Sequence, residues 1–354
     1  MYGYVKVGSA VPKLRVADCV YNKEEILKLV EAAAAKQVRV LSFPELSVTG
    51  YTCADLFFQT PLLHAAEQAI QEIAEATKAL NIFLLIGAPI AVDNQMFNCA
   101  VALYRGKLLG IVPKTHIPNY SEFYEERWFA SADDLLTEEI TYAGQNVPIG
   151  ADLIFAAADF PALKIGVEIC EDLWVPIPPS SYLSLYGATL LLNLSASNEL
   201  AAKPGYRRQL VSQQSARCLS AYVYTSAGTG ESTQDAVFSG HSMIYENGTL
   251  FAETESFSRE SQFVYADIDV EMLMSERRKH TTFMSHLQKA EAQKFYRQIF
   301  FDMAETPHWT TGADPCPMSP SPQPQSWMHA AKIFSPSRQQ VLQDAWSIPM
   351  PILW

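Results

Sequence analysis

Short β-rich runs alternate with segments of helical periodicity along most of this chain, and that alternation limits the fold more than any other feature. VKVGSAVP (5–12), VRVLSFPEL (38–46), IFLLIGAPI (82–90), KIGVEIC (164–170), ATLLLNLSAS (188–197), AYVYTSAG (221–228) and FVYADIDV (263–270) read as strands. CAVALYRGKLLGIVPK (99–114) and GHSMIYENGTLFAET (240–254) read as strands folded about the tight turns YRGK and YENGT, where Asn247 and Gly248 suit positive backbone angles. KEEILKLVEAAAAK (23–36) and LLHAAEQAIQEIAEATKALN (62–81) carry apolar residues at helical spacing with charged opposite faces. PSSYLSLYGAT (179–189) and GYRRQLVSQQSARCLS (205–220) add two further helices. Strands interleaved with one-sided helices bury their apolar faces only by layering, so the pattern predicts an α/β layered domain.

Composition narrows the function. The 354 residues are 49% hydrophobic, enough for a sizeable core, and the net charge of −12 disfavours nucleic acid as a partner. No apolar stretch reaches bilayer length, since LIFAAADFPALKIGV is broken by Asp159 and Pro161, and MYGYVKVGSAVP lacks the basic start of a signal peptide. The expectation is a cytoplasmic protein that contacts no membrane. Its cysteines, Cys19, Cys53, Cys99, Cys170, Cys218 and Cys316, form no CxxC pair, and the histidines are dispersed, so neither a metal nor a disulfide framework is expected.

Three strand ends carry reactive groups. LKIGVEICEDLW (163–174) delivers a thiol, Cys170, followed by Glu171 and Asp172, where a buried strand meets a turn. LSFPELSVTGY (41–51) breaks at Pro44 and presents Glu45, and IVPKTHIPNYSEFYEERWF (111–129) presents Lys114 before an aromatic and acidic loop. Taken singly, Glu45 reads as a solvated loop acid, Lys114 as a surface lysine and Cys170 as a small core residue. Taken together, they present a carboxylate, an ammonium and a thiol at strand ends, which is where sites of open sheets assemble.

PELSVTGY, PKTHIPNYSEFYEERWF and CEDLW, with LLLNLSASNELAAKPGYRRQL (190–210), resemble in order and spacing the nitrilase, or carbon-nitrogen hydrolase, superfamily. The closer likeness, over roughly the first 280 residues, is to the glutaminase domain of glutamine-dependent NAD+ synthetases. That resemblance implies an α-β-β-α four-layer sandwich of two packed sheets flanked by helices. It also implies a catalytic Glu45, Lys114 and Cys170, with Tyr120, Glu171, Trp174, Ser197 and Lys203 around the substrate glutamine. Glu125 and Glu171 are candidates for the substrate ammonium or for orienting Lys114, and Lys203 for the substrate carboxylate. Lys203 stands where some members have arginine, which exchanges a planar fork for a point charge. The implied reaction is glutamine hydrolysis through a γ-glutamyl thioester, with no cofactor. Pairing into a homodimer or larger even assembly is also implied.

The organisation expected is a glutaminase domain over 1–280 and a helical extension over 281–307. A proline-rich linker or aberrant tail follows over 308–354, where GADPCPMSPSPQPQSW is too poor in apolar residues to pack. Another reading frame of 338–352 permits a segment similar to the family's interdomain region, which would make that tail frame-shifted. In the family, ATP and magnesium belong to a synthetase domain with an SGGxDS phosphate loop, and no such loop occurs in this sequence. The alternatives left open are a stand-alone amidase, nitrilase or carbamoylase of the same fold, and an idle assembly fragment.

Overall fold

The computed structural model describes residues 3–283, 285 and 295–303. The expected linker or tail at 308–354 lies outside the described residues.

The first half of the chain gives β1 (Tyr4–Val11), α1 (Cys19–Ala35), β2 (Val40–Ser42), α2 (Thr60–Thr77), β3 (Phe83–Val92), β4 (Gln95–Tyr104) and β5 (Lys107–Pro113). A small hairpin, β6 (Glu139–Tyr142) and β7 (Gln145–Pro148), follows. The second half gives β8 (Leu153–Ala157), β9 (Lys164–Ile169), α3 (Pro179–Leu185), β10 (Leu190–Ser195), α4 (Lys203–Arg217), β11 (Ala221–Ser226), β12 (Met243–Glu246) and β13 (Thr249–Glu253). β14 (Gln262–Asp269), α5 (Val270–Lys279) and β15 (Arg297–Phe301) complete it.

Strand alternation sorts the apolar residues into three cores. In β3, Leu84 and Ile86 face α1 and α2, against Ile26, Val30, Ile70 and Ile73, whereas Phe83 and Leu85 face the other sheet. The central core between the sheets also takes Val7, Val40 and Ala100 from the first sheet and Phe155, Val167, Leu192 and Val223 from the second. On the far side Leu191, Tyr222 and Met243 pack beneath α3 and α4 through Leu183 and Val211. Helix, sheet, sheet, helix is therefore the layer order, as expected. The first sheet runs β14-β1-β2-β3-β4-β5 and the second β13-β12-β11-β10-β9-β8-β15. The two hairpins turn where expected, through left-handed Arg105–Gly106 and Asn247–Gly248.

Three polar contacts tie the sheets together near the ends of β2 and β10. Thr225 Oγ1 on β11 meets Ser9 Oγ on β1 at 2.7 Å and also meets Ser42 Oγ on β2, and the Glu45 N–H donates to Ser195 O at 3.4 Å. The loop carrying Glu45 is thereby anchored to the opposite sheet.

The helical extension expected over 281–307 needs correction. Residues 281–283 are helical, but Arg297–Phe301 is a strand lying parallel to β8, so the compact unit extends past 280. The period of two explains it: Phe301 turns inward against Phe83 at 5.5 Å and Tyr104 at 5.1 Å, while Phe300 remains exposed. The strands β6, β7 and β8 were also not anticipated.

Candidate active site

β2, β5 and β9 all end at one edge of the sandwich, and their terminal residues converge. Glu45 follows β2, Lys114 follows β5 and Cys170 follows β9; each is at most 5% exposed. Lys114 Nζ donates to Glu45 Oε1 at 2.7 Å and to both oxygens of Glu125, at 2.9 and 2.8 Å. Asn98 Nδ2 from β4 donates to the same Glu45 oxygen at 2.7 Å, and Glu45 Oε2 has no hydrogen-bond partner. A buried carboxylate held firmly by one oxygen and left open at the other is built to accept a proton.

Burial opposes charge on Lys114, yet the carboxylates of Glu125 and Glu45 outweigh it and hold the ammonium well above its ordinary pKa. Glu125 is pushed up, first by burial and then by Glu45, against the pull of Lys114. The Cys170 thiol is raised far above its usual range by burial and by Glu45, with Lys114 and the Ala196 backbone N–H acting in the opposite direction. The resting sulfur is therefore a thiol, and it needs a base to attack anything.

Backbone geometry presents that thiol. Cys170 has φ +47°, a left-handed conformation costly for a side chain with a Cβ, at the junction of β9 and a short 3₁₀ turn, Cys170–Leu173. Asp172 over-determines the turn, accepting from Ile169 N at 2.9 Å and His116 N at 2.8 Å, and Asn193 Oδ1 accepts from Cys170 N at 3.2 Å. Glu45 depends on a different device, the absence of a side chain at Gly87 in β3. A Cβ there would lie 2.2 Å from Leu46 N and 2.6 Å from Pro44 O. Neither backbone atom can yield cheaply, so Gly87→Ala is expected to cost about 1–3 kcal/mol, as overpacking typically does. Urea denaturation measures it, and an unchanged midpoint would show that the Glu45 loop tolerates displacement.

The remaining expected residues divide between an exposed rim and the buried interior. Tyr120 is exposed and its hydroxyl donates to Glu171 Oε1 at 2.9 Å. Burial raises the Glu171 carboxyl, and Tyr120 and Lys114 counter it. Lys203 Nζ sits 5.0 Å from the Trp174 ring and donates to Asn198 Oδ1. Ser197 is buried and accepts from Arg207 Nη2 at 3.3 Å. Glu125, held open as an ammonium ligand or as an orienter of Lys114, is occupied by Lys114 and by the Tyr51 hydroxyl at 2.8 Å, which leaves the orienting position. A broad groove of about 1040 Å³ reaches Tyr120, Glu171 and His116, but Cys170, Glu45 and Lys114 do not line it. Among the described residues no group of three or more His, Cys, Asp or Glu is arranged to hold a metal, and no helix is long and apolar enough to cross a membrane.

Several participants escaped sequence reasoning. Asn98 and Asn193 were legible in principle, as lone amides inside apolar strands (MFNCAVA and LLLNLSAS), where a buried polar group needs a partner. Glu231 was not: it arrives from a loop 180 residues away to accept from Tyr51 N at 2.7 Å and Thr52 N at 3.0 Å, fixing the loop that carries Tyr51.

The model of the carbon-nitrogen hydrolase family matches residues 7–278. A glutamine-dependent NAD(+) synthetase of Mycobacterium bovis is 40% identical over 301 residues, which are 85% of this chain and 44% of that protein. Among solved structures, a glutamine-dependent NAD(+) synthetase from Cytophaga hutchinsonii superposes with a TM-score of 0.67 at 30% identity, over 75% of this chain and 43% of its own. An amidase of the nitrilase superfamily from Nesterenkonia AN1 shares the fold, with a TM-score of 0.59 at 17% identity, over 81% of this chain and 96% of its own. The chain thus spans less than half the length of the synthetases it matches. With a family match covering most of the chain and a thiol, an ammonium and a carboxylate brought to one buried point, the chain belongs to the carbon-nitrogen hydrolase family.

Proposed function

We propose that this chain is the glutamine amidohydrolase portion of a glutamine-dependent NAD+ synthetase, releasing ammonia for the amidation of an adenylated NAD+ precursor. The observation that carries the reading is the free Oε2 of Glu45 in a cluster whose other carboxylate oxygens are bound to Lys114, beside a protonated thiol. The names of the relatives supply glutamine.

In this mechanism Glu45 takes the Cys170 proton as sulfur bonds to the amide carbon. Lys114 and the backbone N–H after Cys170 meet the negative charge on oxygen. Glu45 then passes the proton to the amide nitrogen, the C–N bond breaks, and ammonia leaves a γ-glutamyl thioester. Water attacks that thioester while Glu45 accepts its proton, the C–S bond breaks, and the proton returns to sulfur, leaving glutamate. Glu125 keeps Lys114 charged and aimed. The opposite charges at the rim suit a zwitterion, with Glu171 and Tyr120 toward its ammonium and Lys203 toward its carboxylate, while Trp174 and Ser197 line the space between.

ATP and magnesium belong, in this reading, to the synthetase portion, and no step here passes through them. The cytoplasm is the compartment we assign, in keeping with free, buried Cys19, Cys53, Cys99, Cys170 and Cys218. A homodimer or larger even assembly belongs to the same reading, and sedimentation equilibrium measures it.

The test is release of ammonia and glutamate from glutamine, set against acetamide and propionamide, with Glu45→Gln as control. Glutamine turnover that falls by about 100-fold or more in Glu45→Gln is expected, the size of a general-base contribution. Turnover of the simple amides with glutamine inert would replace the reading by a stand-alone amidase.

A further inference from the structure

A second concentration of buried charge surrounds Arg207 on α4, whose side chain is wholly buried. Nη2 donates to Ser197 Oγ at 3.3 Å and to Asn198 O at 3.1 Å. Nη1 donates to Glu199 Oε2 at 3.2 Å and lies 2.8 Å from Nδ1 of His241, which is also fully buried. A guanidinium has only donors, so Nδ1 must be the acceptor. The ring's proton is then on Nε2, which faces Glu253 Oε1, an oxygen also bound by Arg208 Nε at 2.6 Å.

We propose that His241 is a positioning residue for substrate binding: as the neutral, Nε2-protonated tautomer it fixes Arg207. Arg207 in turn holds the Ser197–Asn198 turn, and Asn198 Oδ1 holds the Lys203 ammonium. The proposal rests on the reading above that Ser197 and Lys203 hold glutamine. It adds that their geometry is set from the segment leading into β12 and from the end of β13, through one imidazole acceptor.

This arrangement has a pH signature. The groups facing the ring are Arg207 and Arg208 from α4, Glu253 from β13 and, around Arg207, Glu199 and the Tyr224 hydroxyl of β11. Tyr224 is pushed up to about 12 by burial and remains neutral. Burial lowers the His241 pKa below its ordinary 6.5; Glu253 opposes this and Arg207 adds to it. The ring is therefore neutral at pH 7 and gains its proton only at more acid pH. That proton would set an N–H of the ring against an N–H of Arg207 and place two cations in contact. In the folded state the ring binds fewer protons than in the unfolded chain, so its contribution to stability is complete above the unfolded pKa and is lost as pH falls through the folded one. The KM for glutamine should rise along that same acid limb, with kcat changing less.

Steady-state kinetics with glutamine between about pH 5.5 and 8, spanning the ordinary titration range of histidine, test this in wild type, His241→Leu and His241→Asn. Leucine removes the acceptor, and KM is expected to rise about tenfold at neutral pH with kcat within about threefold, the scale of one hydrogen bond to a charged group. Asparagine places Oδ1 where Nδ1 stood and does not titrate. It should return KM to within about threefold of wild type and flatten the acid limb. Loss of kcat with KM intact in the leucine variant, or an unchanged acid limb in the asparagine variant, overturns the proposal. ¹⁵N NMR of the wild-type rings, assigned with His241→Asn, decides the pair even if the leucine variant does not fold: a charged ring or an Nδ1-protonated tautomer at neutral pH overturns it. Should wild type leave glutamine untouched, the substrate reading fails, and the ring measurement still tests the Arg207–His241 pair.

Discussion

Cys170→Ala is expected to lower glutamine hydrolysis at least about 1,000-fold, because removing a covalent nucleophile leaves only binding and oxyanion stabilisation to act on water. The fold should persist. Alanine keeps the Cβ and therefore the left-handed strain already present at φ +47°, and the turn is held by Asp172 and Asn193 rather than by sulfur. Its unfolding free energy should stay within about 1–2 kcal/mol of wild type, since the Ala196 backbone N–H loses its contact with sulfur while the turn keeps its own hydrogen bonds. Intact-mass measurement during turnover should find a glutamyl adduct on the wild-type chain and none on the variant. A folded Cys170→Ala protein that still releases ammonia at more than about a tenth of the wild-type rate would remove Cys170 from the mechanism, because no nucleophile loss is that small.

Lys114→Met should damage both activity and stability, and the two losses have different causes. The ammonium is fully buried and is the shared partner of Glu45 and Glu125. Methionine fills the stem but leaves two carboxylates buried without their cation, a loss of about 3–5 kcal/mol when one side of a buried pair is removed. Without Lys114 the Glu125 carboxyl has a folded pKa above its unfolded one, since burial and the neighbouring Glu45 already push it upward in the cation's presence. Stability in the variant is thus retained below the unfolded carboxyl pKa and lost as pH rises through the folded one, so its deficit against wild type should widen from about pH 5 to about pH 8. Activity should fall by about 100-fold or more even where the variant is folded, the cost of one oxyanion donor. Urea denaturation at the two pH values is the measurement, and a deficit independent of pH would mean that the carboxylates are not paired through Lys114.

The layered architecture was legible because burial in layers writes itself into sequence as period. β3 alternates Phe83 and Leu85 toward one core with Leu84 and Ile86 toward another, and α2 places Leu62, Ala66, Ile70 and Ile73 on one stripe. The YRGK and YENGT turns were legible for the same local reason, since Gly106 and Gly248 supply the left-handed angles that their hairpins require. β15 was misread as part of a helical extension, because a five-residue run, RQIFF, shows its alternation only once β8 is beside it.

Glu45, Lys114 and Cys170 stood out in the sequence because each ends an apolar strand, where a polar group is not consumed by the sheet, and the resemblance of the surrounding motifs gave them their expected roles. Their protonation could not be read. The raised thiol arises from burial and from Glu45, and the over-stabilised ammonium from the charges of Glu125 and Glu45 acting against burial; these residues lie up to 125 positions apart, Glu45 and Cys170 being the outermost, and local sequence holds no record of such fields. Glu125 illustrates the boundary: its place in the acidic loop was visible, but only folding decided that both its oxygens would be spent on Lys114. Sequence by itself determined most of the elements, their layering and the chemical types gathered at one edge, since those follow from periodicity and strand termination. Tertiary structure alone decided which oxygen of Glu45 stays free, how Gly87 admits its loop and how Arg207 and His241 share one hydrogen bond, because each depends on contacts between residues far apart in the chain.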